Sequence, residues 1–206
     1  TDAARAEHGD DIAGGNIEIT PTGASDLGNS TAGGSITVDA QSIAFNTLDA
    51  GSTISLTANG TAAGAEGIDG ATVIAGSDIN MNGNSIAITD SVTGAANFFA
   101  IGSGGTVAIA SADVSGTISI FADGNLTGTY VSGSSIVLDS AANITASATA
   151  NGGGLFVGAA GNATLTNRGA ASMFGVHAGE AGGSGSGGAW LAAHSEGEEA
   201  GKREQE

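Results

Sequence analysis

The chain has 206 residues, of which 37 are Gly, one is Pro and none is Cys. This composition excludes a collagen, which needs Gly at every third position and abundant Pro, and it excludes a disulfide-stapled domain or a Cys-based zinc site. The net charge is −17, and Lys and Arg occur only at Arg5, Arg168, Lys202 and Arg203. Nucleic acids and anionic membranes are bound mainly through Lys and Arg, so we expect residues 6–167 to bind neither. No apolar run approaches the ~18 residues of a membrane-spanning helix.

Residues 1–13 carry no regular pattern and are predicted to form an irregular flank. They contain neither an initiator Met nor a charged-then-apolar leader, so we expect the chain to be a segment of a longer protein. From residue 14 a pattern recurs: Gly or Asn, a small polar residue, then apolar-x-apolar, as in 15–19, 34–38 and 51–56. Each instance predicts a short β-strand with alternating faces.

The first apolar residues of these strands recur at a nearly constant period. Two interleaved series have separations of 19, 18 and 19 residues and of 18 and 19 residues: Val107, Leu126, Ile144 and Ala163, and Ile118, Ile136 and Leu155. Towards the N-terminus, Ile17, Ile36 and Ile54 follow at 19 and 18. The interval is 25 from Ile54 to Ile79 and 28 from Ile79 to Val107, which predicts loop insertions at those turns.

This period predicts an all-β fold, a parallel β-helix solenoid with about 18–19 residues per coil, over residues 14–167. Ile, Val and Leu are expected to fill the interior ladders, with an occasional Phe45 or Phe121. An antiparallel barrel or sandwich also has strands at this spacing and stays open as the alternative. Asn125, Asn143 and Asn162 each precede a first apolar residue, and they are predicted to stack as an amide ladder.

The repeat fades at Arg168, and residues 168–206 are predicted to form a flexible Gly-rich and acidic tail. Its Gly/Ser run spans residues 182–188, and its charged end spans 196–206. Trp190 and Leu191 lie between them, and a short peptide motif on a tether is the alternative interpretation.

Catalytic groups are scarce, and we predict no catalytic, cofactor-binding or metal-ligating residues and no enzymatic activity. His occurs only at His8, His177 and His194, so the repeat region offers no Cys–His or Ser–His pair. Paired carboxylates for glycoside hydrolysis remain an alternative. The candidate acids are scattered through predicted turns and strand ends: Glu18, Asp39, Asp49, Glu66, Asp69, Asp78, Asp90, Asp113, Asp123 and Asp139.

One segment begins like a calcium-binding loop. Asp78, Asn80, Asn82 and Gly83 match the start of an EF-hand, but Thr89 occupies the position of its final Glu. Strand alternation explains the same residues if Ile79 and Met81 face inward and the polar residues face outward. We therefore predict no metal site here.

Several segments, such as 34–40, 123–127 and 135–146, resemble the repeats of filamentous haemagglutinin-type exoproteins and autotransporter passengers. The resemblance implies a right-handed parallel β-helix that is secreted or displayed on the outer surface of a Gram-negative bacterium. It also implies export through an outer-membrane transporter, as in two-partner secretion. The absence of Cys fits such export, whereas no Asn-Pro-Asn-type secretion motif is found.

The functional hypothesis is a structural and adhesive shaft segment. Its outward polar ladders are expected to make weak, repeated contacts with surface glycans or proteins. The alternatives are a β-helical glycoside hydrolase that uses paired Asp residues, and an ice-binding-type solenoid. The latter needs regular outward Thr-x-Thr rows, and Thr127-Gly128-Thr129 is the one such triplet identified in a regular context.

Overall fold

The computed structural model describes residues 5–7, 10–60, 67–167 and 173–185, with side chains over 10–60 and 67–166. These residues form twenty β-strands. The strands are β1 (Arg5–Glu7), β2 (Asp11–Ala13), β3 (Ile17–Ile19), β4 (Ala24–Asp26), β5 (Asn29–Ala32), β6 (Ile36–Ala40), β7 (Ile43–Ala44), β8 (Thr47–Ala50), β9 (Ile54–Ala58), β10 (Ile68–Ala75), β11 (Ile79–Gly83), β12 (Ile86–Gly94), β13 (Phe98–Gly102), β14 (Val107–Val114), β15 (Ile118–Ala122), β16 (Leu126–Ser132), β17 (Ile136–Ser140), β18 (Ile144–Ala150), β19 (Gly154–Asn167) and β20 (Met173–Gly185).

Every strand pairs in parallel with its counterpart one turn along the chain, which gives a parallel β-helix of about 8 turns. Three faces run along it. Face I holds β3, β6, β9, β11, β13, β15, β17 and the start of β19. Face II holds β1, β4, β7 and the first halves of β10, β12, β14, β16 and β18. Face III holds β2, β5, β8 and the second halves of those long strands. The fold class predicted from the sequence is confirmed, and the antiparallel alternative is wrong.

Faces II and III are separate strands in the first turns and merge from β10 onwards. A register shift between Gly70 and Thr72 marks the bend, and similar shifts occur in the pairing of β12 and β14. A local irregularity of this kind bends a strand without ending it. The chain therefore turns the corner between these two faces inside one long strand.

The two apolar ladders predicted from the sequence are confirmed in register. Ile118, Ile136 and Leu155 stack on face I. Val107, Leu126, Ile144 and Ala163 stack on face II. All seven side chains are buried, because alternate strand residues point to the same side.

One interval was assigned to the wrong ladder. Ile79 pairs with Phe98, 19 residues on, whereas Val107 pairs with Ile86 on face II. The 28-residue interval thus joins two different faces and marks no insertion. The turn at Phe98 was missed because it begins Asn97-Phe98-Phe99, without the small polar residue of the other turns. The 25-residue interval is real, since Ile54 pairs with Ile79 and Ile43 with Ile68, and the extra residues fall between Ala58 and Ile68.

The large interior side chains differ in part from the prediction. Phe45 is buried, and its ring lies over Gly70, where an added Cβ would be 2.1 Å from Cζ of Phe45. Phe121 was predicted to face inward, and this is wrong. It alternates with the buried Ile120 and Ala122 on β15 and therefore points outward. Phe98 and Tyr130 are the fully buried aromatic residues.

Close backbone stacking at the corner between faces III and I explains part of the glycine content. A Cβ on Gly33 would lie 2.4 Å from the carbonyl oxygen of Gly14, and one on Gly51 would lie 2.4 Å from that of Gly33. Gly76 repeats this contact on Gly51 at 2.2 Å. No real Cβ fits at such distances, so the corner repeats with Gly at equivalent positions.

The predicted boundaries at residues 14 and 167 stay a prediction. Strand pairing is also present outside them, where β1 and β2 pair with β4 and β5, and β20 pairs with β19. Residues 186–206 of the predicted tail, with Trp190 and Leu191, lie outside the described residues.

Candidate functional site

The predicted asparagine ladder is present at the corner between faces I and II. Oδ1 of Asn125 accepts hydrogen bonds from the backbone N and from Nδ2 of Asn143, at 3.3 and 3.0 Å. Oδ1 of Asn143 accepts in turn from the backbone N of Asn162, at 2.9 Å. Each side chain thereby satisfies a backbone amide of the next turn, at a corner where the strand ladder is interrupted.

The other two corners carry the same device. Between faces III and I, Oδ1 of Asp78 accepts from the backbone N and Nδ2 of Asn97, both at 3.0 Å, and Oδ1 of Asn97 accepts from the backbone N of Thr117 at 2.9 Å. Between faces II and III, Oδ1 of Asp10 accepts from the backbone N and Nδ2 of Asn29, at 2.9 and 3.0 Å. Asp and Asn before a strand are thus a general corner feature of this solenoid.

This arrangement accounts for the segment that begins like a calcium loop. Ile79 and Met81 are buried and Asn80 and Asn82 are exposed, so the predicted facing is confirmed. Asp78 belongs to a corner column. Among the residues that the structure describes, no three His, Cys, Asp or Glu side chains converge as a metal site.

A file of hydroxyl groups runs beside the asparagine ladder on face II. Thr127, Thr145 and Thr164 are in register and exposed. Thr129, Ser147 and Thr166 form a second file in register, at the edge where the strands bend towards face III. Successive turns are ~4.8 Å apart, and the two files are ~7 Å apart along each strand.

We call this surface the Asn–Thr face. It consists of nine residues: Asn125, Thr127, Thr129, Asn143, Thr145, Ser147, Asn162, Thr164 and Thr166. A shallow groove of about 390 Å³ lies along its asparagine and first threonine files. The surface presents hydroxyl and amide groups in three identical rungs, without a charged group among them.

Sequence reasoning identified only one of these rungs. It found Thr127-Gly128-Thr129 but missed Thr145 with Ser147 and Thr164 with Thr166. The signal that could have revealed them is Asn-apolar-Thr, which recurs at 125, 143 and 162. The three Asn were used as ladder evidence without asking what stood two positions later on the outward side.

Tyr130 supports the first rung from inside. Its ring is fully buried and its Oη donates a hydrogen bond to the carbonyl oxygen of Thr127, at 2.9 Å. Gly128 has φ +156°, and a Cβ there would lie 2.6 Å from Oη of Tyr130. Burial raises the pKa of Tyr130, because the phenolate would lose its hydration in the apolar interior.

The candidate acids are mostly dispersed. Asp90 accepts from Oγ1 of Thr72 at 3.0 Å, Asp39 accepts from Nδ2 of Asn59, and Glu66 lies outside the described residues. Asp69 shares a groove of about 360 Å³ with Asp26. Asp26 was absent from the sequence-based candidates. Because Ala44 lies between them in the register, the two acids stand two turns apart, which is ~9.6 Å at the backbone.

A third surface feature is an apolar strip on the outside of face I, which we call the Phe strip. It contains Phe99, Ile101, Phe121, Val137 and Phe156. Phe99 and Phe156 are 37% and 41% exposed. The sequence analysis missed it because Phe121 was placed inside, so nothing suggested that outward positions of face I were apolar.

Comparison with known proteins adds no identity to these features. The chain matches no protein-family model, no curated protein and no solved structure. Within the part of the chain that the structure describes, no helix is long and apolar enough to cross a lipid bilayer.

Proposed function

We propose that the chain is a structural and adhesive shaft segment of a secreted or surface-exposed bacterial exoprotein of the filamentous haemagglutinin type. The observation that supports it best is the Asn–Thr face on a regular solenoid. Its three rungs repeat the same hydroxyl and amide groups in register. Contacts that are individually weak gain strength when several are made on one rigid support.

The ligand class follows from the charge. All fourteen ionisable carboxylic side chains of residues 6–167 are uncompensated by Lys or Arg in that stretch. Such a surface repels polyanions. The proposed ligand is a neutral glycan, or a protein surface without strong negative charge, and its hydroxyl groups would exchange hydrogen bonds with Thr145 and its stacked neighbours.

The proposed location is outside the cell, reached through an outer-membrane transporter. The support is the chain's repeat type and the absence of Cys, which leaves no disulfide to form before translocation of an unfolded chain. Expression with a matching secretion domain and transporter, followed by detection of surface-bound and released protein, tests this part.

The binding test uses Thr145→Val in the middle rung. Valine keeps the shape of Thr and removes the hydroxyl. We expect binding to neutral glycans on an array to fall several-fold, since each lost hydrogen bond contributes about 1 kcal/mol. Thr93→Val, an exposed outward position on face III, is the matched control and should bind like the parent chain. Equal binding by all three proteins would remove the Asn–Thr face from the proposal.

The proposal assigns no enzymatic activity to the chain. The groove with Asp26 and Asp69 keeps a glycoside hydrolase as the rival, because ~6.5–9.5 Å between carboxyl groups suits an inverting mechanism. Incubating the bound glycans with the chain and with Asp69→Asn decides between them. Release of reducing ends by the parent chain alone would make the chain an enzyme.

Ice binding is a second candidate, favoured by the stacked Thr-x-Thr and Thr-x-Ser rows. Its direct test is inhibition of ice recrystallisation by the chain and by Thr145→Lys, whose bulk and charge would disrupt the central rung. Inhibition by the parent chain and its loss in the variant would replace the glycan proposal.

A further inference from the structure

The Phe strip has no partner within the described structure. Two of its rings, Phe99 and Phe121, pack against each other at 5.9 Å between centroids with a tilt of 53°. Phe156 lies two turns beyond Phe121 and is 41% exposed, while Ile101 and Val137 are half-buried between the rings. A cluster of large apolar side chains on an outer sheet face is the kind of surface that binds another molecule.

The strip is confined to one part of face I. On the preceding turn Asn80 pairs with Phe99 and Asn82 pairs with Ile101. Both Asn are exposed and polar. From β13 to β19 the strip extends over three inter-turn steps, ~14 Å. A stable protein interface usually buries ~800 Å² on each partner, which is more than a strip of this size offers. Its size suits a short segment of polypeptide.

The charge of the strip's surroundings selects the sign of that segment. Asp139 pairs with Phe121 one turn away and is exposed, and Asp123 follows β15 at the adjacent corner and is also exposed. No Lys or Arg occurs between residues 6 and 167. A cation beside an aromatic ring and a carboxylate is stabilised by both groups.

We propose that the Phe strip binds a short basic amphipathic segment of a partner protein. Apolar side chains of the segment pack on Phe99, Phe121 and Phe156, and its Lys or Arg side chains reach Asp139. The site is separate from the Asn–Thr face and does not depend on the function proposed for that face. A second copy of this chain is disfavoured as the occupant, because two acidic rods repel each other.

The test uses the full chain and three fluorescein-labelled peptides of equal length: alternating Leu and Lys, alternating Leu and Glu, and alternating Ser and Lys. Fluorescence anisotropy gives the Kd. We expect the Leu/Lys peptide to bind at least about tenfold more tightly than the other two, since it alone supplies both apolar contacts and positive charge.

The variants locate the site. Phe99→Ser with Phe156→Ser should weaken Leu/Lys binding at least about tenfold, and Asp139→Asn should weaken it and reduce its dependence on salt. Ile74→Ser is the matched control, because Ile74 is 39% exposed and lies outside the strip on face III. Circular dichroism of each variant checks that it is folded.

Three outcomes would overturn the proposal. One is Leu/Lys binding that is unchanged in the Phe99/Phe156 variant or equally weakened by Ile74→Ser. Another is tight binding of the Leu/Glu peptide. The third is loss of neutral-glycan binding, with intact peptide binding, in the Phe99/Phe156 variant, which would assign the strip to glycans. Loss of glycan binding in Thr145→Val alone bears on the Asn–Thr face and leaves the strip unaffected.

Discussion

At the scale of single residues, the facing of each side chain decides what a substitution costs. Ile79 and Asn80 are neighbours on β11, and Ile79 is fully buried while Asn80 is exposed. Ile79→Asp buries a carboxylate without a partner, which we expect to lower the free energy of unfolding by several kcal/mol. Urea denaturation measures the change.

The matched control for that variant is Asn80→Asp on the same strand. Its carboxylate is solvated, so we expect a change within about 0.5 kcal/mol. Equal losses of stability in both variants would mean that β11 does not alternate as described.

Tyr130 gives a prediction about alkaline pH. The buried phenol has a raised pKa, while in the unfolded chain it titrates near 10. Its contribution to stability is therefore complete below pH ~10 and is lost as the pH rises further, because only the unfolded chain releases the proton. Tyr130 is the only Tyr in the chain, so phenolate absorbance follows this one group. We expect it to appear together with unfolding.

Tyr130→Phe provides the comparison. It removes the hydrogen bond to Thr127, which costs about 1 kcal/mol at neutral pH. It also removes the titrating group, so its stability should change little between pH 9 and 11 while that of the parent chain falls. A phenolate signal with an ordinary midpoint in the folded parent chain would contradict the burial of Tyr130.

At the scale of the strand and its corners, the asparagine columns hold successive turns together. Asn143 accepts from the backbone N of Asn162 and donates to Asn125. Asn143→Ala removes both contacts and leaves an amide of the next turn without its acceptor. We expect a loss of about 1–3 kcal/mol and faster hydrogen exchange at the amide of Asn162. Thr145→Ala, two residues away and outward, should leave that exchange rate unchanged.

The ladders were predictable because their period is written in residues that must be buried. Ile, Val and Leu at the first position of each strand return every 18–19 residues, and burial permits few exceptions at those positions. The turn at Phe98 escaped because its neighbour Phe99 is apolar too, so alternation gave no contrast between the inner and outer sides.

The surfaces were harder to predict than the core. Phe121 is apolar yet faces outward, and hydrophobicity alone places such a residue inside. Thr145 and Thr164 are ordinary strand residues when read singly, and their alignment becomes visible only when the turns are superposed. Asp26 and Asp69 are 43 residues apart in sequence, and only the stacking of β4, β7 and β10 brings them to one groove.

At the scale of the whole molecule, charge governs association. The solenoid is acidic along residues 6–167, so heparin and DNA should be repelled. Exposed charges are screened beyond ~8 Å at physiological salt. We therefore expect no heparin binding at low NaCl, and neutral-glycan binding that is unchanged or strengthened as NaCl rises. Surface plasmon resonance with and without a chelator measures both. Heparin binding that weakens with salt would contradict the repulsion.

The in-register parallel pairing has a mechanical consequence. Successive turns are joined by hydrogen bonds on all three faces, and about 8 turns at ~4.8 Å give a rod of ~38 Å. A pull applied evenly along the axis loads all the bonds between two turns at once, while the turns themselves carry the load one after another. The weakest pair of neighbouring turns then sets the breaking force. Adding further turns of equal strength lengthens the rod without adding a weaker link.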